Sequence, residues 1–252
     1  MSSKNQLKYY SSLLNKKQRQ EEKKFIVEGL KLISEAVESG FRCEIVIALK
    51  EFLDENNSFV KFIEKNKINF DTVKTPELEK LCDTKTPQGV IGVFNFKQQS
   101  KTDLGNEKLI VALENVSDPG NLGTIIRNCD WFGVNNVLLS SDCAEIYNPK
   151  VIRSSAGSVF HLNIFYESNF YGVLEEQKKL GYKILCADLN GENLYNFTKS
   201  GKMILILANE ANGPTEKLLE ICDSKITIPK KGDAESLNVA SASAVLLSQL
   251  TK

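Results

Sequence analysis

The sequence predicts an α/β fold in two domains, and three observations carry the prediction. Short apolar runs that read as strands alternate with stretches of helical period along the chain. The strongest runs, 109–113 and 203–208, are apolar without interruption, as strands covered on both faces are. A polar stretch with little that could pack, 97–107, separates two such halves. The expected organisation is a smaller N-terminal α/β domain over 1–96, a linker over 97–107 and a C-terminal domain with a parallel-type sheet over 108–252.

The first 24 residues hold seven Lys or Arg against two Glu, a local charge of +5, with Tyr9 and Tyr10 beside them. Such a run is either a solvated helix face or an arm that lies along phosphates, with Lys16, Lys17 and Arg19 as the contacts in the second case. From Phe25 onward Phe25, Ile26, Leu30, Ile33, Ala36 and Val37 share one side of a helix that Gly40 stops. Residues 44–48 read as a strand, 57–65 as a helix, 68–73 as a strand, 76–81 as a short helix and 90–96 as a strand.

Beyond the linker, 109–113 is a buried strand, and a turn follows at 117–121. Leu122, Ile125, Ile126, Cys129 and Phe132 then recur at helical spacing, with Gly133 at the C-terminal cap position. Arg127 leaves that apolar side and shares the polar one with Gly123 and Thr124. A strand at 137–139 precedes a helix start at Asn148 and Pro149, Asn as cap and Pro at the first helical position. Residues 161–165 are strand-like, 173–180 helical, 183–187 and 203–208 strands, 226–229 a short strand and 238–250 a helix.

Composition excludes several classes. With 32 basic and 32 acidic residues there is no overall basic field, so any nucleic-acid surface must be local. There is no leader pattern and no apolar run near the ~18 residues a membrane helix needs, so a cytoplasmic protein is expected. The six cysteines show no C-x-x-C spacing and read as reduced packing residues, with no metal site suggested. The single histidine, His161, has no G-x-S-x-G partner for hydrolase chemistry, and neither G-x-G-x-x-G nor a Walker A sequence occurs.

Three loops at strand ends remain, at 115–133, 205–214 and 228–240. In this order they resemble the three signature motifs of the SpoU family of RNA ribose 2′-O-methyltransferases, TrmH-like members of the SPOUT superfamily, and 148–157 matches an intermediate segment. The resemblance covers about 107–252; residues 1–96 look like the family's optional substrate-binding domain, with weaker matches at 25–30 and 86–91. Two positions depart from the family, which usually has glycine where this chain has Ala208 and Ala211.

The resemblance implies a trefoil-knotted C-terminal domain that binds S-adenosylmethionine, pairs as a homodimer and needs no metal. It places the cofactor against Ala208, Asn209, Glu210, Gly213, Ile228, Pro229 and Leu237. It places catalysis at Asn121, Arg127, Glu210, Ser236 and Asn238, with Arg153 as a second substrate phosphate contact. The family gives general-base work to the position of Arg127. A guanidinium ordinarily stays charged, so a bidentate hold on a phosphate is the alternative. For Glu210 and Asn238, loop and helix capping stands beside catalysis. The implied function is S-adenosylmethionine-dependent methylation of structured RNA, with ribosomal RNA favoured over transfer RNA. A non-catalytic RNA-binding protein that keeps the fold is the alternative from another class.

Overall fold

The computed structural model describes residues 3–97, 102–209 and 213–252. Its first elements are α1 (Lys4–Ser12), α2 (Lys16–Glu22), β1 (Lys24–Glu28), α3 (Leu30–Glu38), β2 (Cys43–Leu49), α4 (Lys50–Glu55) and α5 (Asn57–Lys65). Next come β3 (Phe70–Val73), α6 (Thr75–Leu78), β4 (Val90–Asn95), β5 (Leu109–Glu114), α7 (Pro119–Trp131), β6 (Asn136–Ser140) and α8 (Pro149–Ser154). The chain continues through β7 (Asn163–Glu167), α9 (Phe170–Lys179), β8 (Tyr182–Asn193), β9 (Lys202–Ala208), α10 (Glu216–Ile221), β10 (Ser224–Thr227) and α11 (Val239–Leu250). It divides into two compact units, 1–98 with Tyr147–Phe160, and 99–146 with 161–252.

In the first unit a four-stranded sheet has the order β1-β4-β2-β3, with β4 antiparallel to both neighbours and β2 parallel to β3. The helix expected from Phe25 is in fact strand β1 followed by α3. Phe25, Ile26 and Val27 are all buried, a continuous run that a one-sided helix would not give, and Gly29 at φ +94° turns the chain between the two elements. Tyr10, Leu13, Ile26, Ile47, Leu81, Ile91 and Val93 form its core. The segment Tyr147–Phe160, read from the sequence with the C-terminal half, clusters here. The Tyr147 ring stacks on Phe25 at 4.3 Å between centroids, and Asn148 caps α8 by accepting from the Lys150 N–H at 2.8 Å.

The second unit has a six-stranded sheet ordered β10-β8-β9-β5-β6-β7, and every neighbouring pair is parallel. Side chains alternate across it. Ile110, Ala112, Ile204 and Ile206 lie in one cluster with Phe170 and Leu174 of α9 and Leu218 and Ile221 of α10. The odd-numbered residues of β5 and β9 face the other way, toward the side on which α11 packs with α7. Strand β8 runs beyond the expected 183–187 to Asn193, and its outer half meets β10 after a register shift between Lys225 and Ile226. Gly191 permits this approach, since a Cβ there would come within 2.6 Å of the Ile226 backbone. All six cysteines are free, and burial pushes the Cys43 and Cys82 thiols up to about 12. No helix among the described residues is long and apolar enough to cross a membrane.

Candidate active site

The carboxyl end of β5 starts the site. Asn115 leaves the strand in the left-handed region, at φ +58°, and its N–H donates to Ser140 Oγ at the end of β6, 2.9 Å away. Asp118 then caps α7, accepting from the Asn121 N–H at 2.8 Å, with Pro119 at the first helical position. The helix therefore begins three residues before the expected Leu122. Leu122, Ile125, Ile126 and Cys129 are buried as their spacing requires, and Arg127 stands on the exposed face.

Three strand ends open on a cavity of about 530 Å³ in the second unit. Ala187 to Asn190 of β8, Leu207 of β9 with the following Asn209, Gly213 and Pro214, and residues 226–232 line it. Ser236 and Leu237 complete one side, with Val239, Ala242 and Leu246 of α11 behind them. The walls are largely apolar, with Asp188, Asn190, Asn209, Lys230, Lys231 and Glu235 among the polar and charged residues that line them, and the volume falls in the range of cofactor sites. Leu237 is 51% exposed.

Of the residues expected at the cofactor, Asn209, Gly213, Ile228, Pro229 and Leu237 line this cavity, as does Ser236 from the expected catalytic group. Ala208 does not. It ends β9 opposite Glu114, and the alternation that turns Leu207 toward the cavity turns the Ala208 methyl to the other face, so this departure from glycine does not crowd the space. Glu210 and Ala211 lie outside the described residues.

Asn121 lies in the first turn of α7 and Arg127 further along it, while Asn238 stands just before α11, between the lining residues Leu237 and Val239. Asn238 caps α11, its Oδ1 accepting from the Ala240 and Ser241 N–H groups at 2.9 and 3.3 Å, while its Nδ2 donates to Asn121 Oδ1 at 2.9 Å. One side chain thus serves as cap and as link between the first and third motifs. The next residue after Arg127, Asn128, repeats the connection: its Nδ2 donates to the Ala240 carbonyl at 3.0 Å and to Ser243 Oγ at 2.8 Å. Arg127 itself makes no ion pair among the described residues and is available to an anion.

Sequence reasoning missed Asn128, Glu114 and the wall from β8. The signal for the β8 wall was its position, since ligands collect at the carboxyl ends of parallel strands. Glu114 is 1% exposed at the end of an otherwise apolar strand, and the polar residue ending that run was its only sequence mark. Tyr171 Oη donates to its Oε1 at 2.7 Å; burial first, and the Glu114 charge after it, raise the Tyr171 phenol above its ordinary value while the Thr215 hydroxyl opposes.

In the first unit Lys16 and Lys17 are exposed on α2. Arg19 is different. It is 2% exposed, and its Nη1 donates to the Leu13 and Leu14 carbonyls at 2.9 and 2.8 Å, tying the α1–α2 turn instead of facing an outside phosphate. Arg153 pairs with Asp83 at 2.8 Å on the surface of the same unit. Two weakly matching segments meet there as well: Glu28 Oε1 accepts from Thr84 Oγ1 at 2.7 Å and the Gln88 N–H at 3.1 Å. His161 of the second unit contacts Asp130 at 2.8 Å, a surface role.

A parallel-sheet unit with a cofactor-sized cavity beside its strand ends, together with a smaller α/β unit, defines a class of two-unit α/β proteins with a ligand site in the parallel-sheet unit. Comparison makes the class specific. The family model of the SpoU rRNA Methylase family matches residues 108–248, and that of the MRM3-like substrate binding domain matches 4–92. The 23S rRNA (guanosine(2553)-2′-O)-methyltransferase RlmP of Bacillus subtilis (strain 168) is 32% identical, over 99% of this chain and 97% of its own. A TrmH-family RNA methyltransferase structure from Porphyromonas gingivalis is 29% identical with a TM-score of 0.87, covering 99% of this chain and 98% of that one. An AdoMet-bound rRNA methyltransferase from Sinorhizobium meliloti is 25% identical with a TM-score of 0.86, covering 99% and 96%. The chain belongs to the SpoU rRNA methylase family.

Proposed function

We propose that this chain transfers a methyl group from S-adenosylmethionine to a ribose 2′-hydroxyl of structured RNA, ribosomal RNA before transfer RNA. The observation that carries the reading is the cavity walled by the second and third motif segments after β9 and β10, together with residues 187–190 of β8. Its largely apolar walls suit an adenosyl group and a methionyl chain, and Asp188, Asn190 and Asn209 offer polar partners. The names of the B. subtilis and S. meliloti relatives, which carry 23S rRNA and rRNA, support ribosomal RNA as the substrate.

When bound, the sulfonium supplies an already activated methyl group, so no metal is required. The protein's work is placement and proton removal. Asn209, Gly213, Ile228, Pro229 and Leu237, with Glu210 by family position, hold the cofactor. Arg127 holds the phosphate beside the attacking 2′-oxygen through its planar fork. Asn121, Ser236 and Asn238, with Glu210, complete the reacting centre. Arg127, or the phosphate it holds, helps to remove the hydroxyl proton as the cofactor gives its methyl group to the 2′-oxygen and departs as a neutral thioether. Exposed Lys16 and Lys17, with Arg153, contribute phosphate contacts. A trefoil knot through the motif loops, a homodimer and a cytoplasmic setting belong to the same reading.

Calorimetric titration of the full chain with S-adenosylmethionine, chelator present, tests the reading, followed by mapping of ribose methylation in RNA from cells lacking the protein. Binding, with one ribose methyl missing from ribosomal RNA, is expected. No binding at millimolar ligand would overturn the enzyme. Binding with an unchanged methylation map would leave an RNA-binding protein that keeps the fold.

A further inference from the structure

Glu114 is a buried carboxylate that none of the three motifs accounts for. It ends β5 with 1% exposure, among strand residues that are otherwise apolar. Burying a carboxylate is costly unless its lone pairs are satisfied, and here they are satisfied by one other segment in particular. The Thr215 N–H donates to Oε2 at 3.0 Å, and Thr215 Oγ1 donates to Oε1 at 2.6 Å. Tyr171 of α9 adds its donation to Oε1. Thr215 is also the cap of α10, accepting from the Leu218 N–H at 3.2 Å. It follows directly on Gly213 and Pro214, which line the cavity.

The other end of that loop is tied to the neighbouring residue of β5. Asn209 Nδ2 donates to the Asn115 carbonyl at 2.9 Å, and the Gly213 N–H donates to the Asn209 carbonyl at 2.9 Å. Consecutive residues 114 and 115 therefore hold Thr215 and Asn209 respectively. Glu114 does so from the sheet face that carries α9 and α10, whereas the cavity lies on the face that carries α11. It does not line the cavity.

We propose that Glu114 is a positioning residue: it sets, through Thr215, the position of Gly213 and Pro214, which line the cavity that receives S-adenosylmethionine. The inference rests on the cofactor reading above. Its chemistry is specific to a carboxylate. Gln has the same shape, but an amide turned so that its oxygen meets the Thr215 hydroxyl places an N–H donor against the Thr215 N–H donor. Turned the other way, the amide keeps the Thr215 N–H but must donate to the Thr215 and Tyr171 hydroxyls, which then have to reverse their own donation, so in either orientation the charge-assisted hold on Thr215 is weakened. Because a bystander in the core would lower stability without selecting a ligand, the diagnostic is a split between cofactor binding and the other steps.

The test compares the full-length wild type with Glu114→Gln, Thr215→Val and Thr215→Ser, measuring S-adenosylmethionine affinity by calorimetry and KM against kcat in methylation assays. In Glu114→Gln and Thr215→Val the cofactor Kd and KM should rise about tenfold, with kcat at saturating cofactor and RNA affinity within about twofold of wild type. Thr215→Ser keeps the hydroxyl and the N–H and should restore wild-type affinity. Folded Glu114→Gln and Thr215→Val proteins with wild-type cofactor affinity would overturn the inference, as would a loss shared equally by Thr215→Ser. If Glu114→Gln does not fold, the Thr215 pair alone decides. A wild type that binds no S-adenosylmethionine would instead refute the cofactor reading itself.

Discussion

Asn238 donates its side-chain amide to Asn121 Oδ1 at 2.9 Å, joining residues 117 positions apart. The same residue caps α11 through its other side-chain atom. Capping and linkage use chemically different ends of the amide, so they can be separated by mutation.

Asp caps a helix about as well as Asn but has no amide to donate. Asn238→Asp should therefore keep the urea midpoint near wild type while turnover falls. Asn238→Ala should lose turnover and also about 1 kcal/mol of stability. Equal activity of the Asp variant and wild type would show that the link to Asn121 is dispensable.

Arg127 stands exposed one residue before the Asn128 anchor. Arg127→Ala should leave fold and cofactor affinity close to wild type and lower single-turnover methylation by roughly 10²-fold, as removal of a transition-state interaction of about 3 kcal/mol would. Arg127→Lys keeps the charge without the planar fork and should rescue little. Near wild-type rates in both variants would make Arg127 a bystander.

The basic N-terminal residues should behave as two groups. Arg19→Ala removes the donor to two carbonyls from a buried site and should destabilise the first unit by roughly 2–4 kcal/mol. Lys16→Ala and Lys17→Ala should leave thermal unfolding unchanged, weaken RNA binding and reduce the slope of log K against log salt by about one for each phosphate no longer held. A slope that stays fixed in the double lysine variant would remove α2 from the RNA interface.

Asp223 supplies an acid-sensitive contact. Burial raises its carboxyl, but the Ile184 N–H at 2.9 Å and the Lys178 ammonium at 2.7 Å outweigh that and hold it below the ordinary carboxylate value. Its contribution is therefore fully present above about pH 4 and is lost as pH falls through the lower folded value. Asp223→Asn should be less stable than wild type at neutral pH, with the two denaturation midpoints converging in acid. A constant difference down to about pH 2 would contradict this assignment.

Much of the second unit was legible because its strands are buried on both faces. β5, β6 and β9 need unbroken apolar runs, and the sequence shows them at 109–113, 137–139 and 203–208. The outer half of β8 was not legible: Asp188 to Asn193 are mostly polar, and only a partner strand meeting them after a register shift makes them a strand. β1 was misread because Phe25 and Ile26 fit helical spacing with Ile33, and only the burial of Val27 separates the two readings. At the site, Asn209, Ser236 and Leu237 were found because local motifs name them. Glu114, Asn128 and the inward turn of Arg19 depend on partners far along the chain or on which way a side chain points, and neither is written in local spacing.

The all-parallel sheet of the second unit carries a consequence for how the protein comes to exist. Parallel neighbours cannot be joined by a tight hairpin, so each ladder closes only after an intervening crossover has formed. Asn115 and Asn209, which must meet to shape the cavity, are 94 residues apart. Such separations slow folding, because loop-closure entropy is spent before any contact compensates it. The cavity is thus among the last features to appear on a growing chain, and until β10 and α11 arrive one edge of β8 and the face of β9 that carries Leu205 and Leu207 stay uncovered. Folding yield, more than final stability, is where substitutions in 224–250 should be felt first.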